Sequence, residues 1–334
     1  MNAPFPWVGG KGKLLWIIDE LAPYDYDCFV DVFGGSGTVL LNRPFRRGRP
    51  EIYNDRDAEI VNFMRVLKER LLALLIELQF LPYHSRDGFA DLCRFSNRDQ
   101  PVEDFLSEEL MLADAIFVPE AAEVLKNIKL RHSIHTDVHR AAAFYKRQRY
   151  SFNGTGSSVA AEPVDLENFF GQLRQCSRRL QDVFIENMDF EPLIRREDKA
   201  GVFFYCDPPY YQAEQYYEGS FTEDDHRRLH DTVSAAKGYV MVSYNDCPFI
   251  RELYQDFFIY STERPDSLSQ KKGKQYGELV MTNYDPRMYS AQITMSEQIT
   301  RYKTIHIPNQ KTEENTCENR IQTQDCRQRL LPSR

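Results

Sequence analysis

Asp207-Pro208-Pro209-Tyr210 closes the apolar run 202–206 and gathers an acid, two prolines and an aromatic ring at what reads as a strand end. The ring of Pro209 fixes its own φ and biases Pro208 away from helix, so the Pro208 carbonyl is aimed rigidly, with no helical ladder to absorb it. That carbonyl and the Asp207 carboxylate are two hydrogen-bond acceptors facing one point, and Tyr210 offers a flat face beside them. Two acceptors and a stacking ring suit a planar base carrying an exocyclic amine. Taken alone, the four residues also read as a strand followed by a proline turn.

A second constellation lies near the N-terminus. The stretch from Cys28 to Asn42 reads as an apolar strand, a glycine turn and the start of a helix, with Asp31, Gly34 and Gly37 at the bend. Glycines there let backbone approach a ligand at the carboxyl edge of an open α/β sheet, where such sheets bind nucleotides. Leu40 stands where the dinucleotide fingerprint has its third glycine, which disfavours a nicotinamide cofactor. Asp55 ends the short strand Ile52-Tyr53-Asn54 and lies 18 positions beyond Gly37, about the spacing at which an acid meets a ribose hydroxyl.

In this order the blocks resemble the Dam-like, S-adenosylmethionine-dependent DNA adenine-N6 methyltransferases. Four blocks carry the resemblance: Pro6 to Lys11, Asp31 to Gly37, Asn54-Asp55, and Asp207 to Tyr210. Asn187-Met188-Asp189-Phe190, Phe221 to His226, and Gly277-Glu278-Leu279 running into Asn283-Tyr284 support it, over roughly residues 5 to 285. The resemblance implies an α/β fold with a Rossmann-like, doubly wound, mostly parallel sheet and an inserted, mostly helical target-recognition domain. It implies that Trp7, Lys11, Asp31, Gly34, Gly37, Asp55, Asp189, Phe190 and Asp207 surround S-adenosylmethionine, with Lys11 near the donor's carboxylate and Asp55 on its ribose. It further implies that Asp207 and the Pro208 carbonyl accept the two hydrogens of an adenine amine while Tyr210 stacks on the flipped base. A different amine acceptor (RNA adenine, cytosine or protein glutamine) and a catalytically silent DNA-binding relative are the competing readings. The glutamine-directed enzymes have Asn, and the cytosine-amine enzymes usually Ser, where this chain has Asp207.

These motifs need a doubly wound sheet to position them. Apolar runs at 182–186, 202–206, 239–243 and 257–261 read as strands, and a helix is expected over 222–237 with Thr222 as N-cap and acids 223 to 225 in its first turn. Residues 58–81 carry the stripe of one amphipathic helix. Residues 1–68 and 184–286 are assigned to the catalytic domain and 69–183 to the recognition insertion. The polar stretch 287–334 is expected to be poorly ordered.

The chain has 334 residues and a formal net charge of -8, which makes local charge more informative than the sum for a partner of double-stranded DNA. Between 126 and 149 seven cations (Lys126, Lys129, Arg131, Arg140, Lys146, Arg147 and Arg149) face the single acid Asp137, with histidines and aromatics interleaved. This basic helix and Asn153, in the Gly/Ser-rich loop after it, are the expected DNA contacts. Lys271-Lys272-Gly273-Lys274 is a second basic loop. Seven scattered cysteines without CxxC pairs point to reduced thiols and no metal site. With no apolar stretch of membrane-spanning length and no signal segment, a cytoplasmic monomer is expected.

Overall fold

Runs such as 202–206 are apolar at every position, the pattern of strands covered on both faces. The computed structural model describes residues 1–7, 9–79, 136–151, 166–211, 221–265, 275–289 and 302–308, with scattered positions between 111 and 126. Among them eight strands make one sheet: β1 (Cys28–Asp31), β2 (Glu51–Asn54), β3 (Val183–Glu186), β4 (Val202–Cys206), β5 (Tyr239–Asn245), β6 (Phe258–Pro265), β7 (Gln275–Thr282) and β8 (Lys303–His306). Their spatial order is β3-β2-β1-β4-β5-β7-β6-β8. The first five run parallel, and β7, β6 and β8 follow with antiparallel pairing. This is the mostly parallel, doubly wound sheet that the alternation of elements requires.

Side chains alternate between the faces. Phe29, Phe203 and Tyr205 enter a core shared with α1 (Leu15–Leu21), α2 (Thr38–Asn42), α3 (Ala58–Glu69), α4 (Leu71–Gln79), α5 (Val138–Tyr150) and α6 (Phe170–Leu180). Val30, Val32, Phe204 and Cys206 enter the opposite core with α7 (Phe190–Glu197), α8 (Glu223–Ser234) and α9 (Pro248–Leu253). A last short helix, α10 (Pro286–Tyr289), follows β7. No helix among the described residues is long and apolar enough to cross a membrane.

Two helix expectations are adjusted. The single helix over 58–81 is broken at Arg70, whose φ of -132° and ψ of 38° leave helical space, so that α3 and α4 bury separate stripes against α5. Helix α8 has the Thr222 cap, closed by Asp225 as a capping box, but stops at Ser234 because Asp198 takes the backbone N–H groups of Lys237 and Gly238 at 2.8 and 3.1 Å. Within the stretch expected to be poorly ordered, β8 pairs with β6. Also, α4, α5 and α6 fall inside the expected insertion yet pack in the same cluster as α1 to α3.

One ion pair ties these layers. Arg179 of α6 donates to both oxygens of Glu51 at 2.5 and 2.8 Å and to the Leu40 carbonyl at 2.9 Å. Glu51 opens β2 and is 5% exposed. Losing the guanidinium strands a buried charge, so Arg179→Met is expected to cost about 3 kcal/mol in a urea melt. A loss below about 0.5 kcal/mol, as for a solvent-screened pair, would show that the carboxylate does not need this partner.

Candidate active site

Strand order reverses between β1 and β4, so the connections leaving their carboxyl ends diverge and a crevice opens there. Asp31 pairs in register with Tyr205, and the Val32 N–H donates to the Tyr205 carbonyl at 2.9 Å. The glycine bend and the Asp207 corner therefore leave adjacent strand ends.

The glycine bend is shaped by Tyr53. Its hydroxyl donates to the Gly35 carbonyl at 2.6 Å, and its ring lies so close that a Cβ on Gly34 would sit 2.2 Å from it. Gly37 has a φ of +71° and leads into α2, which is open to glycine at little cost. The Gly35 N–H donates to Asp55 Oδ2 at 2.8 Å, and the Asp57 N–H donates to Asp55 Oδ1 at 2.8 Å. Burial, partly offset by these backbone donors, pushes the Asp55 carboxyl up to about 6. Asp31 is 1% exposed, and its Oδ2 has no hydrogen-bond partner. Burial first, and then the charge of Asp207, push the Asp31 carboxyl up to about 8.

Asp207 sits just past β4, and groups from two other elements hold its two oxygens. Ser243 of β5 donates to Oδ1 at 2.9 Å, and the Lys11 ammonium lies 2.6 Å from Oδ2. Lys11 belongs to a 3-10 turn (Lys11–Lys13), is buried, and also donates to the Gly9 carbonyl at 2.7 Å. Four residues before Lys11, the Trp7 ring lies over Gly35, where an added Cβ would be 3.0 Å from its Nε1. One N-terminal strap thus touches both corners. Tyr210 is 8% exposed, with the Lys11 ammonium 4.7 Å from its ring centroid and its hydroxyl donating to Glu278.

A family model described as D12 class N6 adenine-specific DNA methyltransferase matches residues 7–267. The chain belongs to that family. It is 28% identical to the Type II methyltransferase M1.LlaDCHI of Lactococcus lactis subsp. cremoris over 83% of this chain and 94% of that one. It is 25% identical to the DNA adenine methylase of Escherichia coli (strain K12) over 85% of this chain and 95% of that one. The DNA adenine methylase of Haemophilus influenzae (strain ATCC 51907 / DSM 11121 / KW20 / Rd) is 23% identical over 82% and 90% respectively. DNA adenine is thus the acceptor, over RNA adenine, cytosine or protein glutamine, and the reaction draws on a methyl donor.

In this methyltransferase Asp189 is the N-cap of α7, taking the Glu191 N–H at 3.1 Å, and Arg228 grips its two oxygens at 2.7 and 3.1 Å. Partial burial pushes its carboxyl up, but the Arg228 guanidinium outweighs that and holds it below the usual range. Phe190 packs 5.6 Å from Phe33 and 5.9 Å from Phe221, with the Arg228 guanidinium 4.1 Å over its ring.

The basic helix faces inward. Lys146 and Arg147 are buried; Lys146 donates to the Glu77 carbonyl at 3.2 Å, and burial lowers its pKa. Arg149 donates to the Pro4 carbonyl at 2.6 Å and the Tyr145 hydroxyl at 3.1 Å, Arg140 pairs with Glu59, and Lys126 pairs with Asp114. Lys126 and Arg140 remain partly exposed, at 31% and 28% of their side chains. Within α5, Ala141, Ala142, Phe144 and Tyr145 turn the helix into the core and carry the stems of Lys146 and Arg147 with them. Lys129, Arg131, Asn153 and the basic loop 271–274 lie outside the described residues. Among the described residues no three His, Cys, Asp or Glu side chains gather as a metal site.

Sequence reasoning passed over Tyr53, Tyr205, Ser243 and Arg228 at this site. Ser243 had a signal, a hydroxyl ending the apolar run 239–242 in a fully covered strand.

Asp31 also governs pH behaviour. Its folded pKa is raised from 3.8, so its contribution to stability is full below that value and is lost as pH rises through about 8. Asp55 acts in the same direction up to about 6. The melting temperature should therefore carry a falling contribution from Asp31 between pH 5 and pH 8, and Asp31→Asn, which cannot ionise, should lose less over that interval. Parallel pH profiles in thermal melts would refute the assignment.

Proposed function

We propose that this chain transfers a methyl group from S-adenosylmethionine to the N6 amine of an adenine flipped out of double-stranded DNA, with Asp207 and the Pro208 carbonyl as the acceptors that orient the amine. The observation carrying this reading is that the glycine bend and the Asp207 corner share one strand-end crevice and are bridged by one strap through Trp7 and Lys11.

The donor's chemistry fits the residues present. Asp31 Oδ2 is a buried acceptor without a partner, the need that an ammonium group meets. Gly34 leaves no room for a side chain beside Tyr53, so bare backbone lines that bend. Asp55 is fixed by two backbone donors, and each of its oxygens keeps a second lone pair that a ribose hydroxyl can use. An ammonium carries three N–H donors, of which Gly9 and Asp207 take two of those on Lys11, which is compatible with a further contact to the donor's carboxylate. Bound here, S-adenosylmethionine supplies an electrophilic methyl on a sulfonium, and the remaining work falls to the chain.

An adenine amine is a poor nucleophile because its lone pair is delocalised into the ring. Asp207 and the Pro208 carbonyl, drawing on its two hydrogens, turn that lone pair out of plane. As the nitrogen gains its bond to carbon it loses one proton, and the Asp207 carboxylate is placed to take it and pass it to water. Catalysis here is positioning and electrostatics. Tyr210, anchored through its hydroxyl by Glu278, supplies the aromatic wall for the base.

Asp207→Ala is expected to lower methyl transfer to DNA by at least about 1000-fold in protein that still folds, with a lowered melting temperature because the buried Lys11 ammonium loses its carboxylate. Modification-sensitive sequencing of DNA from cells expressing each form reads acceptor base and target motif together. N6-methyladenine at undiminished levels with Asp207→Ala would overturn the mechanism. Asp31→Asn should weaken S-adenosylmethionine binding by about 10-fold in calorimetry, the scale of one charge-assisted hydrogen bond; unchanged affinity would remove Asp31 from the donor site.

A further inference from the structure

We propose that Ser243 is a positioning residue for Asp207 and is itself held by the Tyr205 hydroxyl. The inference rests on reading Asp207 as the acceptor of the amine hydrogens.

Cys206 and Val242 are paired in parallel register, so the next residues along β4 and β5, Asp207 and Ser243, fall side by side at the crevice. Ser243 is completely buried, where a hydroxyl is costly unless it is hydrogen-bonded. Its Oγ lies 2.9 Å from Asp207 Oδ1 and 2.9 Å from the Tyr205 hydroxyl. A serine has one hydroxyl hydrogen. With that hydrogen given to the carboxylate, Tyr205 must be the donor to Ser243. Burial, reinforced by the charge of Asp207, pushes the Tyr205 phenol well above its ordinary value, so it retains the proton this arrangement uses. The result is a directed relay from Tyr205 to Ser243 to Asp207.

The two oxygens of Asp207 are held by elements of different kinds. Lys11 comes from the N-terminal strap, whereas Ser243 comes from the middle of the sheet, fixed by strand pairing on both sides. Ser243 therefore sets the carboxylate plane from a different element than Lys11 does. The acceptor must meet the amine hydrogens within narrow limits of distance and angle, so losing this contact slows the chemical step and leaves ligand binding alone.

The test is steady-state and single-turnover kinetics on duplex DNA with labelled S-adenosylmethionine. Ser243→Ala should lower the chemical rate by about 10- to 100-fold, the scale of one hydrogen bond to a charged group, with the donor KM and DNA affinity within about twofold. Tyr205→Phe should produce a smaller loss in the same step, and the double variant should be no slower than Ser243→Ala, since both changes remove one relay. Ser243→Thr, which keeps the hydroxyl, should recover most of the rate. A Ser243→Ala enzyme at the parent's rate, losses that multiply in the double variant, or a folded Ser243→Thr as slow as Ser243→Ala would overturn the relay. Asp207→Ala run alongside separates the two ideas: if it is active the reading of Asp207 fails, and if it is inactive beside a fully active Ser243→Ala only the relay fails.

Discussion

The reversal of strand order between β1 and β4 is the constraint on which the site depends. Parallel neighbours whose connections diverge leave their carboxyl ends uncovered by either crossover, and the backbone ladder between them fixes the spacing of whatever follows. The glycine bend follows one strand and Asp207 the other. Neither corner could drift from the other without breaking the hydrogen bond from Val32 to Tyr205 and the pairing behind it. The next strand across, β5, brings Ser243 to the same edge.

Charge is concentrated at this edge. Asp31, Asp55 and Asp207 lie near enough to influence one another, and the elevated pKa of Asp31 is the record of burial plus the neighbouring Asp207 charge. The buried ammonium of Lys11 is a compensating cation. A crevice of this kind favours a cationic ligand.

The N-terminal strap is held from outside the crevice by α6 and by α5, the basic helix that the sequence pattern pointed toward DNA. Arg149 takes the Pro4 carbonyl, Gln172 the Ala3 carbonyl, and Phe5 packs edge-on against Phe63, Phe144 and Trp7. Arg149 of α5 thus braces the segment that delivers Lys11 to Asp207. A run of Lys and Arg looks the same in a sequence whether its head groups meet phosphate or the chain's own carbonyls; only packing distinguishes them.

Local rules decided much of this protein. The strand ending in Asp207-Pro208-Pro209-Tyr210, the glycine bend and the Thr222 helix cap all follow from short-range sterics and hydrogen bonding, and they were legible from residue types and spacing. The family's blocks carried the identity of the reaction for the same reason, because the residues that touch reactants sit in short contiguous runs. Tertiary structure alone decided the break at Arg70, the pairing of β8, the inward turn of Lys146 and Arg147, and the contacts of Asp207 with Lys11 and Ser243. Each of those depends on which distant segment arrives alongside, and arrival is set by burial of apolar surface over the whole sheet, a quantity no window of sequence contains.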